Sequence, residues 1–316
     1  MRIAFIDSSR GDRPSANRER RRMSLFARAA AELGHEATVT AQGYRPMHAD
    51  AVVCHPAVLM ADPGIADGAP VAVLKNSLDC RHDTWLAGHA TLVVAWVWRR
   101  ADFSGEHSWN ASDATERAMR GKVLQVPLLP HERVLAQLEA DGLTGALLRD
   151  DLEAIRSRYR GELTGNVFFA GFPQQDRREA AARLAAAVPL EVRWTDLGKG
   201  PCLPAKDYLR LTAAASAVPN LPGDTHVCYR FAEAVMLGVP VIVRRGTIHL
   251  TPAVKDFAFP GESNAIVVED WDDWDAIRIG IDRREEIVAE ADAAWRAGWG
   301  LTAQVRMMIE QLERAA

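Results

Sequence analysis

The stretch from Pro222 to Val243 constrains the chain most, because it dictates a turn, a helix, a stop and a strand in immediate succession. Pro222-Gly223 punctuates the backbone, and Asp224 or Thr225 suits the N-cap of the helix that follows. Gly238 fits the helix C-terminus, and Pro240 bars its continuation. The run Val239–Val243 is short, β-branched and apolar, the pattern of a parallel strand covered on both faces.

The helix has two stripes. Val227, Phe231, Ala234 and Val235 recur at core-facing spacing. His226, Tyr229, Arg230 and Glu233 share the other side. One reading of that polar stripe is a solvated face with an Arg230–Glu233 ion pair. The other is a ligand face: a glycine-led helix N-terminus favours anions, and an arginine followed by a carboxylate suits a diphosphate and then a ribose hydroxyl pair.

Arg230-x-x-Glu233-Ala234 followed by Gly238-Val239-Pro240-Val241-Ile242 resembles the donor-site signature of GT-B glycosyltransferases, closest to the exostosin-like and spore-maturation-type branches. The resemblance runs from about Asn166 to the C-terminus. Phe169-x-Gly171, followed by Arg177, is similar to the first strand and loop of the donor domain in the same enzymes. It implies two Rossmann-like α/β domains facing a cleft, with a last helix that crosses back to the first domain. It also implies a nucleoside-diphosphate sugar, such as a UDP-sugar, as donor. Arg230 would neutralise the diphosphate with Tyr229 and the Gly223-Asp224-Thr225 turn assisting, Gly171 and Arg177 would lie beside it, and Glu233 would hold the ribose. Such an enzyme needs neither cofactor nor metal, since side chains and a helix N-terminus stabilise the departing diphosphate. The retaining branch carries two glutamates eight positions apart; here the position eight before Glu233 is Thr225.

The N-terminal half begins with a strand at Met1–Asp7, a helix from about Arg18 to Leu33 and a strand at Glu36–Thr40. No G-x-G-x-x-G follows the first strand, so no dinucleotide site is supported there. Further strands are expected at 51–55, 71–74, 92–97 and 123–127, with polar residues at their carboxyl ends. The loop Ser8–Arg22 carries six arginines against two acids. Arg10, Arg13 and Arg18, with Lys75 at another strand end, read as an electropositive lip for a phosphorylated or polyanionic acceptor. An inverting transferase needs a general base on the acceptor side, and Asp7 and Asp102 are the preferred candidates, ahead of Asp79, His55 and His107. Helical stretches fill His131–Tyr159, and Gly161–Gly165 reads as a linker. The expected division is therefore 1–160 for the acceptor, 161–298 for the donor, and 299–316 as the returning helix.

Composition narrows the rest. With 48% hydrophobic and 25% charged residues the composition is globular, and a net charge of -4 does not announce a nucleic-acid binder, although local clustering of charge still matters. Cys54, Cys80, Cys202 and Cys228 are scattered and support neither a disulfide framework nor a zinc site. The acidic Asp270-Trp271-Asp272-Asp273 run reads as the opening of a helix rather than a metal site. No apolar run reaches membrane-span length and no signal-peptide core opens the chain, so a cytoplasmic enzyme is expected. Three alternatives remain: a transferase acting on DNA with hydroxymethylated bases, which the arginine loop and Trp96, Trp98, Phe103 and Trp109 would suit; a sugar-nucleotide epimerase; and an inactive nucleotide-binding module.

Overall fold

In the computed structural model the described residues are 1–7, 14–41, 43, 48–65, 68–75, 83–95, 121–126, 129–195, 203–221, 229–245 and 263–316; at 14–19, 75, 83, 95 and 125 only the backbone is described. The chain divides into two compact units, residues 1–127 with 300–316, and residues 128–299.

The first unit contains β1 (Arg2–Asp7), α1 (Pro14–Glu32), β2 (Glu36–Ala41), β3 (Ala51–Cys54), α2 (Pro56–Ala61), β4 (Val71–Lys75), α3 (Asp83–His89), β5 (Leu92–Ala95) and β6 (Val123–Gln125). All its strands run parallel, in the order β2-β1-β3-β4-β5-β6. Ala51–Cys54 is buried at every residue, as an inner strand covered on both faces must be, whereas β2 at the edge is half exposed. Ile6, Val52, Val73, Leu86 and Val93 share one core cluster.

The second unit opens with α4 (Glu132–Ala140), α5 (Thr144–Leu148) and α6 (Leu152–Tyr159). It continues through β7 (Val167–Gly171), α7 (Gln175–Ala187), β8 (Leu190–Trp194), α8 (Ala205–Ala214), β9 (Val218–Pro219), α9 (Tyr229–Met236), β10 (Val241–Arg244) and β11 (Ile266–Val268). α10 (Trp274–Asp282), α11 (Arg284–Ala294) and a π-helical turn at Trp295–Trp299 complete it. Strand β7 pairs with β8, β9 with β10 and β10 with β11, all parallel. A parallel bridge from Val167 to Ala217 joins the two ribbons, so the order is β8-β7-β9-β10-β11. Phe169, Leu184, Ile242, Ile266, Trp271 and Ile277 pack together, each aliphatic side chain contributing about 1.5–3 kcal/mol by leaving water.

Three expectations change. Residues 128–160 belong with the second unit, because α4 packs on α8 and α6 packs on α8 and α9. Gly161–Gly165 is therefore not the boundary; Thr164 donates its backbone N–H to Ala214 inside this unit. Helix α1 starts at Pro14, four residues earlier than expected, so Arg18 lies within the helix and not at its start. The final helix, α12 (Leu301–Ala315), packs on α1, β4 and β5 within the first unit. Among the described residues, no helix is long and apolar enough to cross a membrane.

Candidate functional site

Both sheets are doubly wound, and in such sheets ligands sit beyond the carboxyl ends of the strands where the order reverses. That point lies between β7 and β9 in the second unit. Strand β7 ends there at Gly171, and α7 starts after Phe172-Pro173-Gln174 with no side-chain cap on its first turn. Its leading N–H groups point toward that strand end, with Asp176 in the same turn.

Arg230, on the first turn of α9, reaches this strand end. Its Nε donates to the Ala170 carbonyl at 3.1 Å, and its guanidinium lies 4.5 Å from the centroid of the Phe169 ring. The same ring meets Arg177 at 5.8 Å and the edge of Trp194 at 5.5 Å. A guanidinium over an aromatic face gains about 0.5–2 kcal/mol and loses rotational freedom, so the cation is held in place before any ligand arrives. Gly171 is part of the arrangement. A Cβ there would stand 2.8 Å from an Arg230 terminal nitrogen and 3.0 Å from the Phe169 ring, so the guanidinium crosses the strand end through the space a side chain would fill. Arg177 is buried and donates to the Phe172 carbonyl at 3.0 Å, bracing the loop between β7 and α7.

Helix α9 is fixed at its other end too. Gly238 takes φ +70° to end it, and Arg156 donates to the Val235 carbonyl while paired with Asp292.

Glu233 is placed differently from the sequence expectation. It is 3% exposed, Oε2 accepts from the Tyr208 hydroxyl at 2.6 Å, and Oε1 accepts from the His131 backbone N–H at 2.8 Å. Burial pushes its carboxyl above the ordinary range, while the Tyr208 and His131 hydrogen bonds and the charges of Arg230 and Arg133 oppose that shift. Both oxygens accept from protein donors, which ties the carboxylate to α4 and α8. Tyr229 is half-buried, with its ring edge-on to His131 at 5.1 Å.

The structure thus gathers Gly171, Arg177 and Arg230 at one strand end, and adds Phe169, Tyr208, Arg133 and His131, which sequence reasoning missed. Tyr208 had a signal: it shares the helical stripe of the buried Leu209 and Thr212, where a tyrosine needs a partner for its hydroxyl. Gly223, Asp224 and Thr225 lie outside the described residues, as do His226, Gly198-Lys199-Gly200, Cys80, Cys202 and Cys228.

In the first unit the order reverses between β1 and β3. Asp7 ends β1, is 7% exposed and pairs with Arg20 at 3.2 Å. His55, beyond β3, caps α2, its Nδ1 accepting from the Ala57 N–H at 3.2 Å. Arg10, Arg13, Asp79, Asp102, His107, Trp96, Trp98, Phe103 and Trp109 are outside the described residues, and Arg18 and Lys75 are placed by backbone alone. The acidic run near α10 has structural partners: Asp273 caps the helix, and Asp270 and Asp272 pair with Arg183.

No protein-family profile matches the chain, and no curated protein matches it in sequence. Solved structures do. A glycosyltransferase from Rickettsia africae ESF-5 is similar at TM-score 0.52 and 9% identity, with 99% of this chain and 97% of that one covered. The catalytic domain of starch synthase IV from Arabidopsis thaliana, bound to ADP and acarbose, is similar at TM-score 0.53 and 9% identity, with 99% of both chains covered. The chain has the GT-B fold. At the two reversal points the strand ends carry different chemistry: Asp7 with Arg20 at one, Arg230 over Phe169 at the other.

Proposed function

We propose that the protein is a glycosyltransferase that uses a nucleoside-diphosphate sugar, with the donor diphosphate bound by Arg230 at the end of β7. The observation that supports this most directly is the guanidinium held across Gly171 at the reversal of strand order, beside the start of α7. In the reaction the bond between the sugar's anomeric carbon and the diphosphate oxygen breaks, and a bond to the acceptor oxygen forms. The acceptor proton passes to a base. Charge grows on the departing diphosphate, and a pre-placed guanidinium and helix N–H groups stabilise it without reorganising.

In this reading Arg177 keeps the loop in place, and Tyr229 with Gly223, Asp224 and Thr225 adds contacts on the donor. No metal ion is assigned, because the cationic work falls to Arg230. The base is Asp7 or Asp102, with Asp7 supported by its place at the other sheet's reversal point. Arg10, Arg13, Arg18 and Lys75 would favour an acceptor carrying phosphate. Calorimetric titration of UDP, ADP and GDP into the wild-type chain and Arg230→Ala tests the proposal: one of them should bind, and the variant should bind it far more weakly. Equal affinity in the two proteins rejects the site, and no saturable binding of any of the three rejects the activity.

A further inference from the structure

Helix α9 presents Arg230 and Glu233 three residues apart on one stripe, yet the structure treats them oppositely. Arg230 reaches outward over the end of β7, whereas Glu233 is enclosed with both oxygens taken by protein donors. Removing a carboxylate from water is costly unless it is hydrogen-bonded, and a glutamate in solvent would avoid that cost entirely. Its burial therefore calls for a role that a solvated residue would not fill.

The contacts around it show one. Tyr208, from α8, binds Oε2, and its ring rests on Phe168 of β7 at 6.3 Å with the Arg133 guanidinium 5.6 Å from its centroid. The His131 amide, at the N-cap of α4, binds Oε1. The His131 Nδ1 meanwhile accepts from the Arg133 N–H at 3.3 Å. Arg230 rests on Phe169, the next residue of β7, which faces the other side of the sheet. Helix α9 is thus registered against two successive residues of one strand, through Glu233 and Tyr208 on one face and through Arg230 on the other. A rotation or slide of α9 that broke the first contact would carry the guanidinium off the strand end.

We infer that Tyr208, Glu233 and the His131 amide form a positioning cluster that sets the anion-binding geometry of Arg230 and so controls affinity for the diphosphate itself, not for the ribose. This rests on the donor-site reading above. The test measures Kd for inorganic pyrophosphate and for UDP, ADP and GDP, each also as its 2′,3′-dideoxy form, in wild type, Tyr208→Phe, Glu233→Gln, Arg230→Ala and the Tyr208→Phe/Arg230→Ala double variant. Titrations are run well below each protein's melting temperature, with circular dichroism confirming the folded state.

Tyr208→Phe should weaken pyrophosphate and the nucleotide that binds by the same factor, about five- to tenfold, the scale of one ordinary hydrogen bond transmitted through the arginine. In the Arg230→Ala background the same change should have no further effect, because its action passes through the arginine. A merely structural tyrosine would instead give losses that multiply in the double variant, and that result overturns the inference. So does a loss confined to the ribonucleotides with pyrophosphate and dideoxy forms unchanged, which would return Glu233 to the ribose. Should Tyr208→Phe not fold, Glu233→Gln carries the same comparison, since glutamine keeps the size but not the charge. Wild-type affinity in both single variants sinks this inference alone, whereas a wild-type chain that binds none of the probes sinks the donor site with it.

Discussion

The two units wind their strands in the same order around a reversal point, yet they place opposite chemistry there. In the first, a nearly buried carboxylate, Asp7, ends β1 and is held by an exposed arginine from the following helix. In the second, a glycine ends β7 and an arginine from a later helix lies across it. Topology decides where a crevice forms, and a handful of side chains decides what enters it. A carboxylate suits proton transfer and a stacked guanidinium suits a phosphate.

The largest effect that would sharpen this contrast is on turnover. Asp7→Asn should lower kcat by about a hundredfold or more, the usual scale for a lost general base, while leaving nucleoside-diphosphate affinity unchanged. A fall in that affinity instead would mean the two crevices are not divided by charge in this way. Arg230→Ala should do the reverse, weakening nucleoside-diphosphate binding by about 10- to 100-fold, the ~1.5–3 kcal/mol of hydrogen bonds to a charged group, as read by calorimetry. Next is Gly171→Ala. The added methyl meets the far end of Arg230 and the buried Phe169 ring at 3.0 Å, so the guanidinium must leave its place over that ring: binding should weaken about tenfold, with a smaller loss of melting temperature from the crowded ring.

The smallest expected effect is a pH slope. Because burial raises the Glu233 carboxyl above its ordinary 4.5, the native state holds that proton more tightly than the unfolded chain. Stability contributed by this group should therefore fall as pH rises from about 4.5 through the raised native value. Glu233→Gln should flatten that part of a melting-temperature profile, and an unchanged slope would locate the titration elsewhere.

Much of the fold was legible because its signals are local. The β-branched runs at 51–54, 71–75 and 241–244 could only be inner strands, and Gly238 before Pro240 marked where α9 stops. The unit boundary was not legible: α4 to α6 carry ordinary amphipathic patterns that suit either unit, and only their packing on α8 and α9 assigns them. Arg230 stood out through its place near a helix start, but Phe169 beneath it did not, since their meeting depends on a chain crossing 61 residues long. The burial of Glu233 was not legible, because periodicity labels a polar residue on a polar stripe as outward and cannot register a tyrosine and an amide arriving from two other helices.

The second unit is one continuous stretch, whereas the first closes only when α12 supplies Leu301, Val305, Met308, Ile309 and Leu312. Residues 128–299 therefore need nothing outside their own stretch to close, whereas the earlier-made sheet stays open until α12 has also left the ribosome. Deleting that helix should leave the later unit foldable and the earlier one exposed to proteases, a difference that limited proteolysis of nascent chains would display.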